Sequence, residues 1–483
     1  MNVLLVNPPN HRFDTVHLAP HLGLLRLAEV GLECGARPSV LDLSLPNWAA
    51  LADFEEEFYE KAVAAICDRE PAVLGLTSMG VNSHVAIRLA TLVRDRLPSC
   101  WVVLGGPHFG AIAEVLGELC PFDFVVRGSA EEELRAILQA RARNDRPSNP
   151  AIVGGPGGPM RALGPRESMR SIDLPAYFAA NPVRLGLVES GRGCVFNCSF
   201  CYSPGHFGKA VFRSLGHVMD DLKDMKERGF GRLFFVNDNF VNNRRDAMEL
   251  LETIESSESV IPWHCYATIP TLDPKLASQM GASGCTDVYL GIDAVTDRQS
   301  RRYRKRFYGP RTTDAISWLV DAGVTPTAAL IFDGSDHEEE EFDRTLTAAC
   351  ELHNAGARVR INLLAAYPGT DLGPNGELRY SDLKAQVSFD VPTAVRHNPL
   401  ARRYPGAFPF HSTTEREDDW RRILLSVRAA NDVLHSPEST DRTLDSRDLI
   451  EFSRLMADNK GILEVDKRLW TGIHAQMFAR FAR

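Results

Sequence analysis

Over the first 140 positions, short apolar runs alternate with amphipathic stretches. "NVLLVNPP" predicts a buried strand, and "HLGLLRLAEVGLECG" a helix closed by Gly35. "PSVLDLS", "AVLGLTS", "CWVVLGGPH" and "FDFVVRG" read as further strands. Between them, "DFEEEFYEKAVAAICDR", "SHVAIRLATLVRDRL" and "GAIAEVLGEL" read as helices, and "AEEELRAILQ" closes the series. Short apolar strands alternating with helices predict an α/β doubly wound parallel sheet. Residues 141–180, with "GGPGGP" and no periodicity, predict a linker. The rhythm then resumes, with strand candidates at 184–190, 232–237, 261–267, 286–292, 326–332 and 358–364. Such units predict a partial parallel barrel rather than the closed eight-strand form. Residues 381–483 read as a mostly helical cap. The expected organisation is therefore 1–140, a linker over 141–180, a barrel over 181–380 and the cap.

Composition narrows the partners. At 483 residues the chain exceeds one ordinary core. A net charge of −9 without a long basic tract argues against nucleic acid as the main partner. No apolar run approaches the ~20 residues of a membrane span. "MNVLLVNPPN" lacks the basic lead of a secretory signal, so a cytoplasmic location is expected. The acidic run at 338–341 fits the first turn of a helix, with a cationic substrate as the other reading.

Ten cysteines are present, and three crowd into "SGRGCVFNCSFCYSP" as Cys194, Cys198 and Cys201. In a reducing compartment this spacing points to metal chemistry. Three thiolates on one loop can hold three irons of a 4Fe–4S cube and leave the fourth open to a small molecule. A closed zinc site needs four ligands; His206 is the nearby candidate for the fourth. The loop follows the first barrel strand, at the end where parallel barrels carry their active sites.

C-x3-C-x-aromatic-C at the start of a (βα)6 barrel resembles the radical S-adenosylmethionine (SAM) superfamily. The resemblance implies a cluster on Cys194, Cys198 and Cys201, with SAM chelating the open iron and yielding a 5′-deoxyadenosyl radical. Phe200 and Tyr202 fall within that motif, and Arg192 is placed to balance cluster charge. "FFVNDNFVNNRR" places Asp238 where the branch has an acidic residue after strand two, and "GID" places Asp293 near the nucleoside. For each aspartate, a helix cap is the competing role. Lys305 and Arg304 are candidates for the SAM carboxylate, or surface residues. "AAYPGTDL" is similar to the family's turn after strand six. Thr268, Pro270 and "FDGSDHEEEE" depart from the pattern at the barrel mouth, so they bear on the substrate.

The first 140 residues resemble the Rossmann-like cobalamin-binding domain of one branch of that family. Its strand ends place Asn7, Pro8, Ser78, Gly105, Gly106 and His108 at the crevice where a ligand binds. The Asp-x-His-x-x-Gly motif is absent, as is usual in this branch. The cofactors implied are a 4Fe–4S cluster and SAM, with cobalamin as a further candidate. The partners implied are a small-molecule substrate and a flavodoxin- or ferredoxin-type electron donor. Three functions follow: cobalamin-dependent C-methylation of a specialised metabolite, cobalamin-independent radical dehydration or deoxygenation of a sugar, or a non-catalytic metal sensor.

Overall fold

The computed structural model describes residues 1–9, 18–49, 56–80, 82–157, 167–257, 260–305, 309–332, 339–372, 410–411, 417–436 and 443–458. Two parallel sheets organise them.

The first contains β1 (Asn2–Asn7), β2 (Arg37–Asp42), β3 (Val73–Thr77), β4 (Trp101–Gly105), β5 (Phe124–Arg127) and β6 (Ala151–Gly154), in the order β2-β1-β3-β4-β5-β6. Alternate side chains explain its two buried faces. Leu4, Val6, Leu74, Leu76, Val102 and Leu104 pack under the helices Glu56–Cys67 and Ser83–Arg96. Val3, Leu5, Val73, Trp101 and Val103 pack under Leu22–Glu33 and Glu131–Ala142. Strand order reverses at β1, so the crevice opens at the carboxyl ends of β1 and β3. β6 lies inside the stretch expected as linker and pairs with β5 from Phe124↔Ala151 to Arg127↔Gly154. Its brief run, set among Gly and Pro, left too little periodicity to read.

The second sheet contains β7 (Leu185–Val188), then, past a small ribbon of β8 (Gly191–Arg192) and β9 (Val211–Phe212), β10 (Arg232–Phe235), β11 (Trp263–Ala267), β12 (Cys285–Asp293), β13 (Thr325–Phe332) and β14 (Arg358–Leu363). Its order is β14-β13-β12-β11-β10-β7, all parallel and open at both edges, as the partial barrel requires. Helices cover the outer face through one apolar core that includes Phe235, Trp263, Val288, Leu330 and Ile361. The helix Glu417–Leu434 closes the β14 edge: Asn431 accepts from Ile361 N–H at 2.9 Å and donates to its carbonyl at 2.8 Å. With Ser446–Asp458 it supplies the described helices of the C-terminal region; residues 381–409, 412–416, 437–442 and 459–483 lie outside the described residues.

A buried ionic chain joins the two sheets. Arg26, on the first sheet's helix, reaches Glu189 at 3.0 Å and Asp221 at 3.5 Å. Arg213 reaches Asp221 at 2.7 Å and the Glu189 carbonyl at 2.9 Å. Arg192 holds Glu189 at 3.0 Å and also pairs with Glu131. Three cations thus meet three carboxylates, with Glu189 and Arg192 at the start of the cysteine loop. Arg192 is committed to these carboxylates, so it is not the cluster counter-charge that the resemblance suggested.

The acidic run behaves as a helix start. The helix Glu339–Asn354 carries it; Glu340 is exposed against Arg344, and Glu341 accepts from Thr296 Oγ1 at 3.2 Å. Residue 338 lies outside the described residues.

Candidate functional site

The loop after β7 is shaped by the segment after β10. Ser190 N–H donates to Asn237 Oδ1 at 3.1 Å, and Asn237 Nδ2 donates to Ser190 Oγ at 2.9 Å. Gly193 N–H donates to Asp238 Oδ2 at 2.9 Å. Asn242 accepts from Val195 N–H at 3.1 Å and donates to the Gly193 carbonyl at 2.8 Å. Gly193 sits at φ +77°, open to few residues but glycine, with Ala210 Cα only 3.2 Å from where a Cβ would be. Asp238 is therefore a clamp on this loop rather than a helix cap; Asn243 caps the following helix. Asn242 and Asn237 were not legible as site residues, although the asparagine-rich run after β10 was a signal.

Within the loop Cys194, Cys198 and Cys201 are free and half-buried. Burial pushes all three thiols up, Cys198 to about 11 and Cys201 to about 12, and their mutual charges add to this for Cys198 and Cys201. Ser203 N–H approaches Cys201 Sγ at 3.5 Å, and Cys201 N–H closes a turn on the Cys198 carbonyl at 3.1 Å. Among the described residues, no three His, Cys, Asp or Glu side chains close round a single metal ion. A closed zinc site takes four ligands, whereas three thiolates can each hold one iron of a cube and leave the fourth iron open. His206 packs edge-on against Phe207 at 4.5 Å, and burial brings its imidazole down to about 4. The donor set, three free thiols within eight positions of a clamped loop, fits an iron–sulfur cube.

Beside it, a register shift between Gly291 and Asp293 turns the end of β12, where Asp293 adopts φ +63°. Asp293 pairs with Lys305 at 2.9 Å, both nearly buried, and Lys305 lies near Cys198 and Cys194. A Cβ on Gly291 would stand 3.1 Å from both partners, so glycine leaves room for the pair. Thr296, not Asp293, caps the next helix. Lys305 is thus not a surface residue, whereas Arg304 is half-exposed and pairs with Asp371. Phe200 packs edge-on against Tyr303 at 5.6 Å, and Ser199 Oγ donates to the Arg302 carbonyl at 2.7 Å.

Between the sheets lies a mostly apolar cavity of about 610 Å³. One side is the carboxyl edge of the first sheet, with Asn7, Thr77, Gly105 and Gly106; the other carries Gly191, Arg192, Tyr202 and Asp238. Five sequence candidates, Asn7, Gly105, Gly106, Tyr202 and Asp238, therefore share one chamber. Pro8, Ser78, His108, Phe200 and Asp293 do not line it. Ser78 is buried in a turn, its hydroxyl bonded to Asn82 at 3.1 Å, and Asn82 Nδ2 donates to the Pro8 carbonyl at 3.0 Å. His108 is buried, its backbone N–H donating to the Ser78 carbonyl at 3.3 Å. Gly106 is needed where it stands: at φ +92° a Cβ would lie 2.7 Å from Ser78 O and Thr77 Oγ1. The sequence reading missed His21 and Asp42, which also line the chamber. His21 Nδ1 accepts from Leu24 N–H at 3.2 Å, which leaves Nε2 as the protonated nitrogen of the neutral ring.

Comparison with known proteins agrees with this geometry. Residues 188–349 match the radical SAM superfamily, and residues 17–138 match the B12 binding domain. The chain is an enzyme of the radical SAM class. Its radical SAM domain follows a B12-binding domain, and the two contribute opposite walls of the chamber. An uncharacterised methyltransferase of Pyrococcus horikoshii is 27% identical over 394 residues, covering 77% of this chain and 82% of that protein. The hopanoid C-3 methylase of Methylococcus capsulatus is 26% identical over 411 residues, covering 82% and 76%. Among solved structures, the radical SAM methyltransferase TsrM from Kitasatospora setae, with tryptophan substrate and a SAM analogue bound, has a TM-score of 0.66 at 18% identity, covering 94% and 96%. Another TsrM structure, with cobalamin and a [4Fe-4S] cluster bound, has a TM-score of 0.61 at 18% identity, covering 77% of each chain. At these identities the structural likeness establishes the shared fold.

No helix among the described residues is long and apolar enough to cross a membrane.

Asn242→Ala removes both a donor and an acceptor from the cysteine loop. Loss of such outer partners costs roughly 10–100-fold in metal affinity. Iron retained by reconstituted protein under a chelator challenge is expected to fall accordingly, with the fold unchanged by circular dichroism.

Proposed function

We propose that this chain is a cobalamin-dependent radical SAM methyltransferase acting on a small molecule. One observation carries the reading: the chamber is walled on one side by the carboxyl edge of the B12-binding sheet and on the other by residues of the cysteine loop. When bound, the cluster supplies an electron to the SAM sulfonium, and the corrin supplies a carrier for the methyl group. Cys194, Cys198 and Cys201 would hold the cluster. Asp238 and Asn242 fix the loop that presents them. Asp293 and Lys305 offer a carboxylate and an ammonium beside that loop, suited to the amino and carboxylate groups of a methionyl moiety. The apolar chamber walls, Leu5, Leu22, Val103 and Leu187 among them, keep water from a bound corrin. Electrons would come from a flavodoxin- or ferredoxin-type donor, and a specialised metabolite remains the proposed kind of substrate.

Product analysis tests this. Anaerobically reconstituted chain, supplied with SAM, hydroxocobalamin, a reductant and candidate substrates, is expected to form S-adenosylhomocysteine and a methylated product. 5′-Deoxyadenosine without homocysteine would instead support the cobalamin-independent reaction. Neither nucleoside product would support the sensor.

A further inference from the structure

The concave face of the second sheet is not packed as a core. Burial alternates along β10, β11 and the start of β14, and through the middle of β12: Leu233, Phe235, Trp263, Cys265, Val288, Leu290, Val359 and Ile361 point outward into the buried core. The intervening Phe234, His264 and Tyr289 are half-buried, and Tyr266 and Arg360 are exposed. A sheet filled on both faces would read as continuously buried strands. This inner face therefore lines a space.

That face is an aromatic platform. Phe234 and His264 stack at 4.5 Å with 5° between their planes. Tyr266 meets Phe234 edge-on at 4.9 Å and Tyr289 edge-on at 5.5 Å. The platform adjoins the cysteine loop. Phe240 N–H donates to the Tyr266 carbonyl at 2.8 Å, two residues beyond the Asp238 that clamps the loop at Gly193 and lines the chamber.

Its charge is lopsided. At the strand starts, Asp287 pairs with Arg232 and, at 3.3 Å, with Arg358, which leaves one positive charge in excess there. Near the loops, Asp293 neutralises Lys305. Arg360 lies two residues along β14 from Arg358, on the same face as Asn362. It is exposed and forms no ion pair with any described residue. Tyr266 is one described group that feels its charge. An aromatic wall alone would also accept a cation; an uncompensated guanidinium beside it reverses that preference.

We infer that the substrate is an anion with a flat unsaturated ring, its carboxylate or phosphate paired with Arg360 and its ring lying against Tyr266 and Tyr289. This rests on the proposed function for the idea that a substrate occupies the barrel, and it replaces the cationic substrate that the acidic run had suggested. Arg360 is then a specificity-determining residue.

Calorimetric binding to the full chain, without turnover, tests it. The probes are phenylacetate, phenyl phosphate and phenethylamine. Phenylacetate or phenyl phosphate is expected to bind, and the tighter of the two identifies the oxyanion. Phenethylamine is expected to bind at least about tenfold more weakly, since a charge-assisted bond is replaced by like-charge repulsion. R360Q should weaken the anion by about tenfold or more while R360K retains most of it. Because Arg360 is exposed, both variants should keep the wild-type circular dichroism. Binding of phenethylamine as tight as the anions, anion binding unchanged in R360Q, or no binding of either anion would overturn the inference. None of these readings depends on SAM cleavage, so a failure of the proposed reaction is seen separately.

Discussion

Cys198→Ser is expected to lower iron from about four per chain to well below that, and to cut 5′-deoxyadenosine release by more than about 100-fold, since even an outer partner costs 10–100-fold. A serine hydroxyl does not ionise at neutral pH, so it cannot stand in for a thiolate on iron. The loop itself should survive, because its clamps come from Asn237, Asp238 and Asn242 rather than from the sulfur. Cys67→Ser is the matched control: Cys67 is a partly exposed thiol far from the loop in sequence and should leave iron content unchanged. Iron and sulfide assays with chromatographic nucleoside analysis provide both readouts.

Glu189→Leu is expected to destabilise the chain by about 3–5 kcal/mol, the usual cost of removing one partner from a buried ion pair. The variant removes one carboxylate partner from both Arg26 and Arg192, at sites only a few per cent exposed for Arg26 and Glu189. Burial by itself would raise the Glu189 carboxyl, but Arg192, Arg26 and Arg213 together outweigh it and hold it below the usual carboxylate range. The sign follows. A folded-state pKa below the unfolded value of about 4.3 gives stability that is complete above that pH and is lost as pH falls through the lower folded pKa. Urea midpoints should therefore fall on acidification in the wild type, and Glu189→Leu should lose that part of the acid limb. The same variant should loosen the cysteine loop, since Arg192 stands two residues before Cys194.

What the sequence disclosed was local. Strand–helix alternation is written in runs of a few residues, and the three cysteines lie on one loop, so both were legible. The ionic chain was not: Arg26 and Glu189 are 163 positions apart, and nothing near either residue signals the other. The clamp joins Asn242 to Gly193 across 49 positions. Its asparagines carry no resemblance of their own, whereas Asp238 stands where the resembling branch has an acidic residue after strand two. Of the residues placed at the crevice by strand-end position, Asn7, Gly105 and Gly106 line the chamber. Ser78 turned instead to satisfy its own turn, and His108 packed within the fold. Strand-end position predicts proximity to a crevice, but side-chain direction there depends on backbone turns such as that at Gly106. Arg360 was unremarkable in sequence because its meaning depends on which neighbouring arginines pair with Asp287.

The central claim is that the space between the two sheets is a corrin chamber facing an iron–sulfur loop. Gly105 lines it, and a Cβ there would meet nothing within 4 Å, so a tryptophan can project into the cavity without disturbing the sheet. Hydroxocobalamin retained through gel filtration, read by its visible absorbance, measures occupancy directly. Wild-type protein and Cys198→Ser should each retain close to one corrin per chain, while Gly105→Trp retains almost none yet still assembles its iron. Equal retention by Gly105→Trp, or no retention by the wild type, would contradict the account.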